Sequence, residues 1–233
     1  MSRIAIITAR GGSKRIPGKN IKKFCGEPII AYSIRAALLS GGFEEVMVST
    51  DSREIAEVAE HYGANIPFLR SEETSNDYAT TADVLCEVVT EYEKKGRYFN
   101  TLCCIYPTAP FLTAGKLNCA LWEFERLKAS SLMPVVPFSF PPQRAMVIRD
   151  GKLAYQNPEF VRSRSQDLEP LYHDCGQFYF CRMDAFKKYN SVVTPDVVPF
   201  ILSEEEVQDI DNLSDWVLAE EKYRTFILKG GIK

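Results

Sequence analysis

IITARGGSKRIPGKN, residues 6–20, runs from an apolar stretch into a loop with paired glycines, Gly11 and Gly12, ringed by Arg10, Lys14, Arg15 and Lys19. The stretch from Arg3 to Thr8 is short and apolar and reads as a buried strand. Beyond the loop, Ile30, Ile34, Ala37 and Leu38 recur at helical spacing between Pro28 and Ser40, and Gly41-Gly42 stops the pattern. A strand, a glycine-basic loop and a helix in this order open an α/β sheet, in which ligands sit beyond the carboxyl ends of the strands.

The same rhythm continues outward from this unit. Val46 to Thr50 reads as a second strand, and Asp51 with Glu54 has the spacing of a capping box for a helix to Tyr62, terminated at Gly63. Ile66 to Leu69 is expected to be a brief third strand. Thr81 to Lys95 reads as a helix ending at Gly96, Thr101 to Ile105 as a strand, and YPTAPFL as a tight turn. Thr113 caps a helix to about Lys128, and Leu132 to Val136 is a strand. From Pro137 to Pro170 the helical spacing gives way to hairpins and loops. Gly176 to Cys181 alternates as a strand, and Asn212 caps the last helix with Asp215 three residues on. The expected fold is α/β: a mostly parallel twisted sheet with helices on both faces. Residues 1–233 form one domain, with 137–170 as a small inserted lobe.

Composition narrows the function classes. The chain has 233 residues, 45% of them apolar, enough for a large core. A net charge of −3 gives no general attraction for nucleic acid, so any cationic patch is local. No apolar run reaches the roughly eighteen residues of a membrane span, and the N-terminus lacks the pattern of a signal peptide. Seven cysteines, an odd number without a C-x-x-C pair, read as reduced and mostly buried thiols in a cytoplasmic protein. Cys103 and Cys104 are adjacent on a strand and are expected to face opposite sides of the sheet.

Glycines after a strand permit positive φ and let backbone N–H groups turn toward an anion, and the surrounding cations then neutralise a polyphosphate. The spacing is neither a Walker A loop, since Asn20 stands where a Ser or Thr is needed, nor the dinucleotide fingerprint G-x-G-x-x-G. An ordinary solvated basic loop is the competing reading. Near the C-terminus, Asp209-Ile210-Asp211 places two carboxylates on one face of an extended segment and Ile210 on the other. Such a pair suits Mg²⁺, which favours carboxylate and phosphate oxygens. Equally, Asp211 could do no more than help start the helix after Asn212.

The loop A-R-x-G-S-K-x-x-x-x-K-N resembles the signature of the sugar-acid cytidylyltransferases, the family of CMP-sialic acid synthetases. VMVSTDSREIAEVAEHYGANIPFLR (46–70) is similar to the family's second βα unit, and TSNDYATTADVL places Asp77, Thr80 and Thr81 where the family has an acidic residue and a hydroxyl pair. IYPTAPFL resembles the turn Q-P-T-S-P-L-R, with Tyr106 in place of the Gln and Leu112 in place of the Arg; Asp209-Ile210-Asp211 matches the D-I-D motif before a capped helix. Matching segments span about residues 3–220. The resemblance implies a nucleotide-diphospho-sugar-transferase, Rossmann-like fold. It implies that Ala9, Arg10, Gly11, Gly12, Ser13, Lys14, Lys19, Asn20, Arg70 and Thr80 bind CTP, and that Asp209 and Asp211 hold Mg²⁺. Lys19, Asp209 and Asp211 are then the catalytic set. The anomeric hydroxyl of a nine-carbon acidic sugar would attack the α-phosphorus and release pyrophosphate. A carboxylate near the metal or a metal-bound water would serve as general base.

Sugar recognition is expected between residues 138 and 181. SRSQDL and YHDCGQFY, with CCIYPTAPFL and VQDIDNLSDW, resemble the pseudaminic acid branch of the family. Candidate sugar contacts are Tyr106, Gln143, Arg144, Arg162, Arg164, His173 and Gln177. A guanidinium suits a carboxylate, although each arginine fits a solvated loop or a dimer contact as well, and His173 fits a structural role bonded to backbone. The family implies a homodimer through residues 137–170. The same reaction on sialic, legionaminic or another ulosonic acid is the near alternative, and a non-catalytic nucleotide-binding regulator on the same fold is the alternative of another class.

Overall fold

The computed structural model describes residues 2–228. Its first strand, β1 (Arg3–Thr8), is buried on both faces, with Ala5 and Ile7 on one side of the sheet and Ile4 and Ile6 on the other. A two-strand turn, β2 (Lys23–Phe24) and β3 (Glu27–Pro28), leads into α1 (Ile29–Ser40). Next come β4 (Glu45–Ser49), α2 (Arg53–His61), the short α3 (Glu72–Ser75), α4 (Thr81–Lys94), β5 (Thr101–Ile105), α5 (Ala114–Leu127) and β6 (Ser131–Pro137). The hairpin β7 (Met146–Arg149) and β8 (Lys152–Tyr155) follows. The chain closes with β9 (Tyr172–Asp174), β10 (Phe178–Arg182), α6 (Met183–Tyr189), β11 (Val198–Ile201) and α7 (Leu213–Lys222).

The main sheet has the order β11-β6-β10-β5-β1-β4, with β9 paired to β6. β4, β1 and β5 are mutually parallel, and β11 is parallel to β6. β10 lies antiparallel between β5 and β6, so the mostly parallel sheet carries one reversed strand in its middle. The two faces bury separate clusters. Ile34, Ile55 and Phe124, from α1, α2 and α5, cover one; Leu85, Tyr92 and Phe186, from α4 and α6, cover the other. Cys103 and Cys104 fall into opposite clusters, as strand alternation requires. All seven cysteines are free thiols, four of them buried.

The caps follow the sequence closely. Thr80 forms a capping box with Asp83, Thr113 accepts from the Lys116 amide, and Asn212 forms a capping box with Asp215. Two local expectations are corrected. Ser52, not Asp51, caps α2, because the Asp51 carboxylate is taken by the Gly11 amide at 2.7 Å. Residues 66–69 form no strand: pairing with β4 stops at an isolated bridge between Met47 and Asn65, where Pro67 soon removes the next donor. α6, β9 and β11 are additional elements that short, weakly periodic stretches did not reveal.

A third cluster lies below the carboxyl ends of the strands. Ile16 from the basic loop and Ile210 from between the two carboxylates are both 1% exposed and share it with Phe24, Tyr32, Phe111 and Trp216. The Phe24 ring meets Tyr32, Trp216 and Tyr223 edge-on at 5.5–5.6 Å. Truncating a buried Trp removes both transfer energy and packing. Trp216→Ala is therefore expected to cost about 3–5 kcal/mol of stability in denaturant titration; a loss below about 1 kcal/mol would show that this cluster is not tightly packed.

Candidate active site

Leaving β1, the chain is tied at once to its neighbour: the Ala9 amide donates to the Ser49 carbonyl at 2.9 Å. Gly11 and Gly12 do not adopt positive φ; the left-handed position is Gly18, at φ 62°. Gly11 is required for closeness instead, since a Cβ there would come within 3.1 Å of the Ser52 Cβ, and its amide faces Asp51 rather than an open anion site. Gly18 turns the chain into a single 3₁₀ turn, Lys19–Ile21. That turn buries Asn20, whose amide donates to the Arg10 carbonyl at 2.9 Å, and aims the Lys19 ammonium at the Ile210 carbonyl, 2.8 Å away.

Above this loop lies a cavity of about 530 Å³, lined by Arg10, Ser13, Lys14, Arg15, Lys19, Asn20, Arg70 and Thr80. Ala9, Gly11 and Gly12 do not line it. Each of its loop cations has a protein acceptor. Arg10 pairs with Asp77 at 2.9 Å, Lys14 pairs with the other oxygen of Asp77, and Arg15 pairs with Asp211 at 2.6 Å. Lys14 first, then Arg10, holds the Asp77 carboxyl below the usual carboxylate range. Arg70 forms the buried floor, donating to the Ser49 hydroxyl at 3.0 Å and the Ser49 carbonyl at 2.6 Å; burial pulls its pKa down. The Thr80 hydroxyl is committed to Asp83 at the start of α4.

A second cavity, of about 690 Å³, adjoins the first. Lys19, Tyr106 and Thr108 line both, and so form a shared wall. Its polar lining includes His173, Asp174, Gln177, Asp209 and Asp211, facing apolar Phe111, Val136 and Phe138. Tyr106 is near the Thr81 hydroxyl at 3.4 Å, and burial raises its pKa. His173 has its Nδ1 2.9 Å from the Asp174 carbonyl and its ring against Phe138, which leaves room for both of its sequence-based readings. Asp174 accepts from the Gly176 amide and the Tyr179 hydroxyl. Gln177 is 3% exposed; its amide nitrogen donates to the Glu206 carbonyl at 2.8 Å, while its Oε1 has no partner among the described residues.

Asp209 and Asp211 border this second cavity on the side of Lys19. Burial lowers the Lys19 pKa, and Asp211 and Asp209 oppose that effect. Among the described residues no group of three or more His, Cys, Asp or Glu is gathered for a metal. Two carboxylates beside a cationic phosphate-sized cavity nevertheless fit Mg²⁺, which binds through one or two carboxylates plus substrate phosphates. Gln143, Arg144, Arg162 and Arg164 line neither cavity: Gln143 donates to the Glu169 carbonyl, Arg144 to the Ser165 hydroxyl, and Arg162 and Arg164 are exposed. Sequence reasoning counted Arg15 among the loop's cations without giving it a partner, and passed over Asp174, Lys116 and Lys222. Only Asp174 carried a signal, as part of YHDCGQFY.

A family model for cytidylyltransferases matches residues 4–191. The chain belongs to the cytidylyltransferase family. It is 40% identical over 225 residues to a pseudaminic acid cytidylyltransferase of Campylobacter jejuni, covering 96% of this chain and 97% of that one. It is 34% identical over 224 residues to a CMP-N,N'-diacetyllegionaminic acid synthase of Legionella pneumophila, covering 93% and 94%. Among solved structures, a CMP:2-keto-3-deoxy-manno-octonic acid synthetase complexed with CTP superposes with a TM-score of 0.70 at 16% identity, covering 95% of this chain and 98% of that one. That likeness establishes the cytidylyltransferase fold for this chain.

The paired cations on Asp77 give this site a titration signature. In a carbon-detected NMR titration the Asp77 carboxyl should ionise below the ordinary value of about 3.9, and Lys14→Ala should move its midpoint upward. An ordinary midpoint in the parent protein would contradict the ion-pair geometry.

Proposed function

We propose that this chain transfers CMP from CTP to the anomeric hydroxyl of a nine-carbon 2-keto sugar acid, pseudaminic acid, and releases pyrophosphate. The observation that carries the reading is the shared wall of Lys19, Tyr106 and Thr108, with the basic-loop cations on one side of it and, on the other, His173, Gln177 and four carboxylates, Asp174, Glu204, Asp209 and Asp211. A reaction that joins a polyphosphate to a polar sugar needs two such chambers with a common boundary. The choice of pseudaminic acid rests on 40% identity along nearly the whole chain with the Campylobacter jejuni protein, against 34% with the legionaminic acid synthase.

In this reading Arg10, Ser13, Lys14, Lys19 and Asn20 receive the triphosphate, and Arg70 with Thr80 closes the nucleoside end. Ala9, Gly11 and Gly12 set the path of the loop. For the cations to reach phosphate, Arg10 and Lys14 leave Asp77. Tyr106, His173 and Gln177 receive the sugar, the unpartnered Oε1 of Gln177 offering an acceptor for a hydroxyl or an amide N–H. Asp209 and Asp211 hold Mg²⁺, which when bound supplies charge stabilisation at the transferring phosphorus. The anomeric hydroxyl gives up its proton to a nearby carboxylate or to water, and its oxygen bonds to the α-phosphorus as the bond from that phosphorus to the β-phosphate oxygen breaks. Lys19 lies on the shared wall, so its ammonium can balance the charge that grows on the leaving pyrophosphate.

The lobe between residues 137 and 170 is the basis for inferring a homodimer. Phe140, Ile148 and Leu153 are 85%, 75% and 70% exposed there, an apolar surface of the kind that marks association. Gln143, Arg144, Arg162 and Arg164 belong to this lobe, and a contact with a partner subunit suits them. No described helix is long and apolar enough to cross a membrane; free thiols and CTP as substrate favour a cytoplasmic site.

Purified protein with CTP, Mg²⁺ and a panel of nine-carbon acids should release pyrophosphate fastest with pseudaminic acid. Release with none of them would remove the catalytic reading, and faster turnover with sialic or legionaminic acid would move the substrate. Asp211→Asn should lower kcat by at least a hundredfold, equivalent to about 2.7 kcal/mol, while CTP still binds. Sedimentation should give a dimer that Ile148→Lys with Leu153→Lys converts to monomer; a parent monomer would dismiss the lobe as an interface.

A further inference from the structure

Gln208 to Asp211, the stretch that carries both carboxylates, belongs to no strand pairing among the described residues. A strand beside others takes its position from the ladder, and this one must take it from elsewhere. Side chains from four separate parts of the fold hold it and the 3₁₀ turn before it. Lys19 donates to the Ile210 carbonyl at 2.8 Å, and Gln177 donates to the Glu206 carbonyl at 2.8 Å. Lys222 of α7 donates to the Glu204 and Val207 carbonyls, each at 3.1 Å. The remaining link is Lys116 of α5, paired with the Glu206 carboxylate at 2.8 Å.

Lys116 differs in burial from the paired cations of the basic loop, Arg10, Lys14 and Arg15. Its side chain is 7% exposed and that of Glu206 17%, whereas the loop cations are reached by solvent. Its ammonium also donates to the Phe111 carbonyl at 2.8 Å, in the turn that carries the shared wall. The other Glu206 oxygen accepts from the Ser203 hydroxyl at 2.9 Å and sits 3.3 Å from its amide. Every acceptor of Glu206 is thus used, and the residue is fixed from three directions. A buried ion pair of this kind adds little net stability over an apolar pair of similar size. What it does specify is position, because each charge tolerates burial only where the other stands.

We propose that the Lys116–Glu206 pair is the positioning device for the metal-binding carboxylates, locking the turn at 204–206 to α5 so that Asp209 and Asp211 emerge at a fixed distance from Lys19. Neither residue lines either cavity; both act through the segment between them and the carboxylates. The inference rests on the reading of Asp209 and Asp211 as metal ligands, and the test separates the two.

The experiment measures Mn²⁺ half-saturation in the presence of CTP, from the EPR signal of free Mn²⁺, with CTP affinity in EDTA by calorimetry and thermal unfolding as companions. Lys116→Met with Glu206→Leu replaces the pair by apolar groups of similar size. The expected result is unfolding within a few degrees of the parent, CTP affinity in EDTA within twofold, and Mn²⁺ half-saturation raised at least tenfold. kcat should fall at least tenfold, while KM for CTP stays within threefold. A folded double variant with Mn²⁺ half-saturation within tenfold of the parent would overturn the proposal. Should that variant not fold, Glu206→Gln decides: it keeps the shape and the Ser203 contacts, and Mn²⁺ half-saturation should rise at least threefold, a smaller change counting against the pair. Asp211→Asn is the control. If it too leaves Mn²⁺ binding unchanged, the ligand assignment fails; if it weakens Mn²⁺ while the pair variants do not, only the positioning role fails.

Discussion

Ile16, in the basic loop, and Ile210, between the two carboxylates, are almost two hundred positions apart and yet buried in one apolar cluster with Phe24, Phe111 and Trp216. Each such burial is worth about 1.5–3 kcal/mol. It brings together the segment that carries Arg10, Lys14, Arg15 and Lys19 and the segment that carries Asp209 and Asp211. Charges alone could not do this with any accuracy, since ion pairs in water are weak and loose. The apolar residue placed between charged ones converts each flexible segment into a fixed edge. Lys19 then meets the Ile210 carbonyl, and Arg15 meets Asp211, as consequences of that packing.

The sheet supplies the frame, and the functional residues lie where it ends. β1, β4 and β5 deliver the basic loop, Ser49 beneath Arg70, and Tyr106 to neighbouring places above their carboxyl ends. β10, reversed between β5 and β6, brings Gln177 to the same edge from the opposite direction, its carbonyl accepting from the Tyr106 amide. The carboxylate segment has no such frame. It depends on side-chain donors, on the cluster below, and on the α7 capping box, in which Asp215 also accepts from the Asp211 amide at 2.9 Å.

Much of this was legible in the sequence where the signal is local. Strand–loop–helix order, the caps at Thr80, Thr113 and Asn212, and the inward Ile210 all follow from short-range periodicity and hydrogen-bonding chemistry. The pairing of the basic loop with the distant carboxylates was legible only through resemblance, since no periodicity links positions so far apart. Three features could not be read. The reversal of β10 depends on which neighbours a strand finds, and alternation is the same in either direction. Gly11 was expected to turn its amide to an anion, but a nearby carboxylate, Asp51, competes for that amide and wins. Lys116 looks like any helix-surface lysine; its burial is set by Glu206, ninety residues away.

The two cavities and their shared wall make a specific claim about where the nucleotide lies relative to the carboxylates. The most direct test is a crystal structure of the protein with CTP and Mg²⁺. The triphosphate is predicted within hydrogen-bonding reach of Arg10 and Lys19, with the metal between phosphate oxygens and the carboxylates of Asp209 and Asp211. A nucleotide bound outside the basic-loop cavity, or a metal touching neither aspartate, would contradict the account.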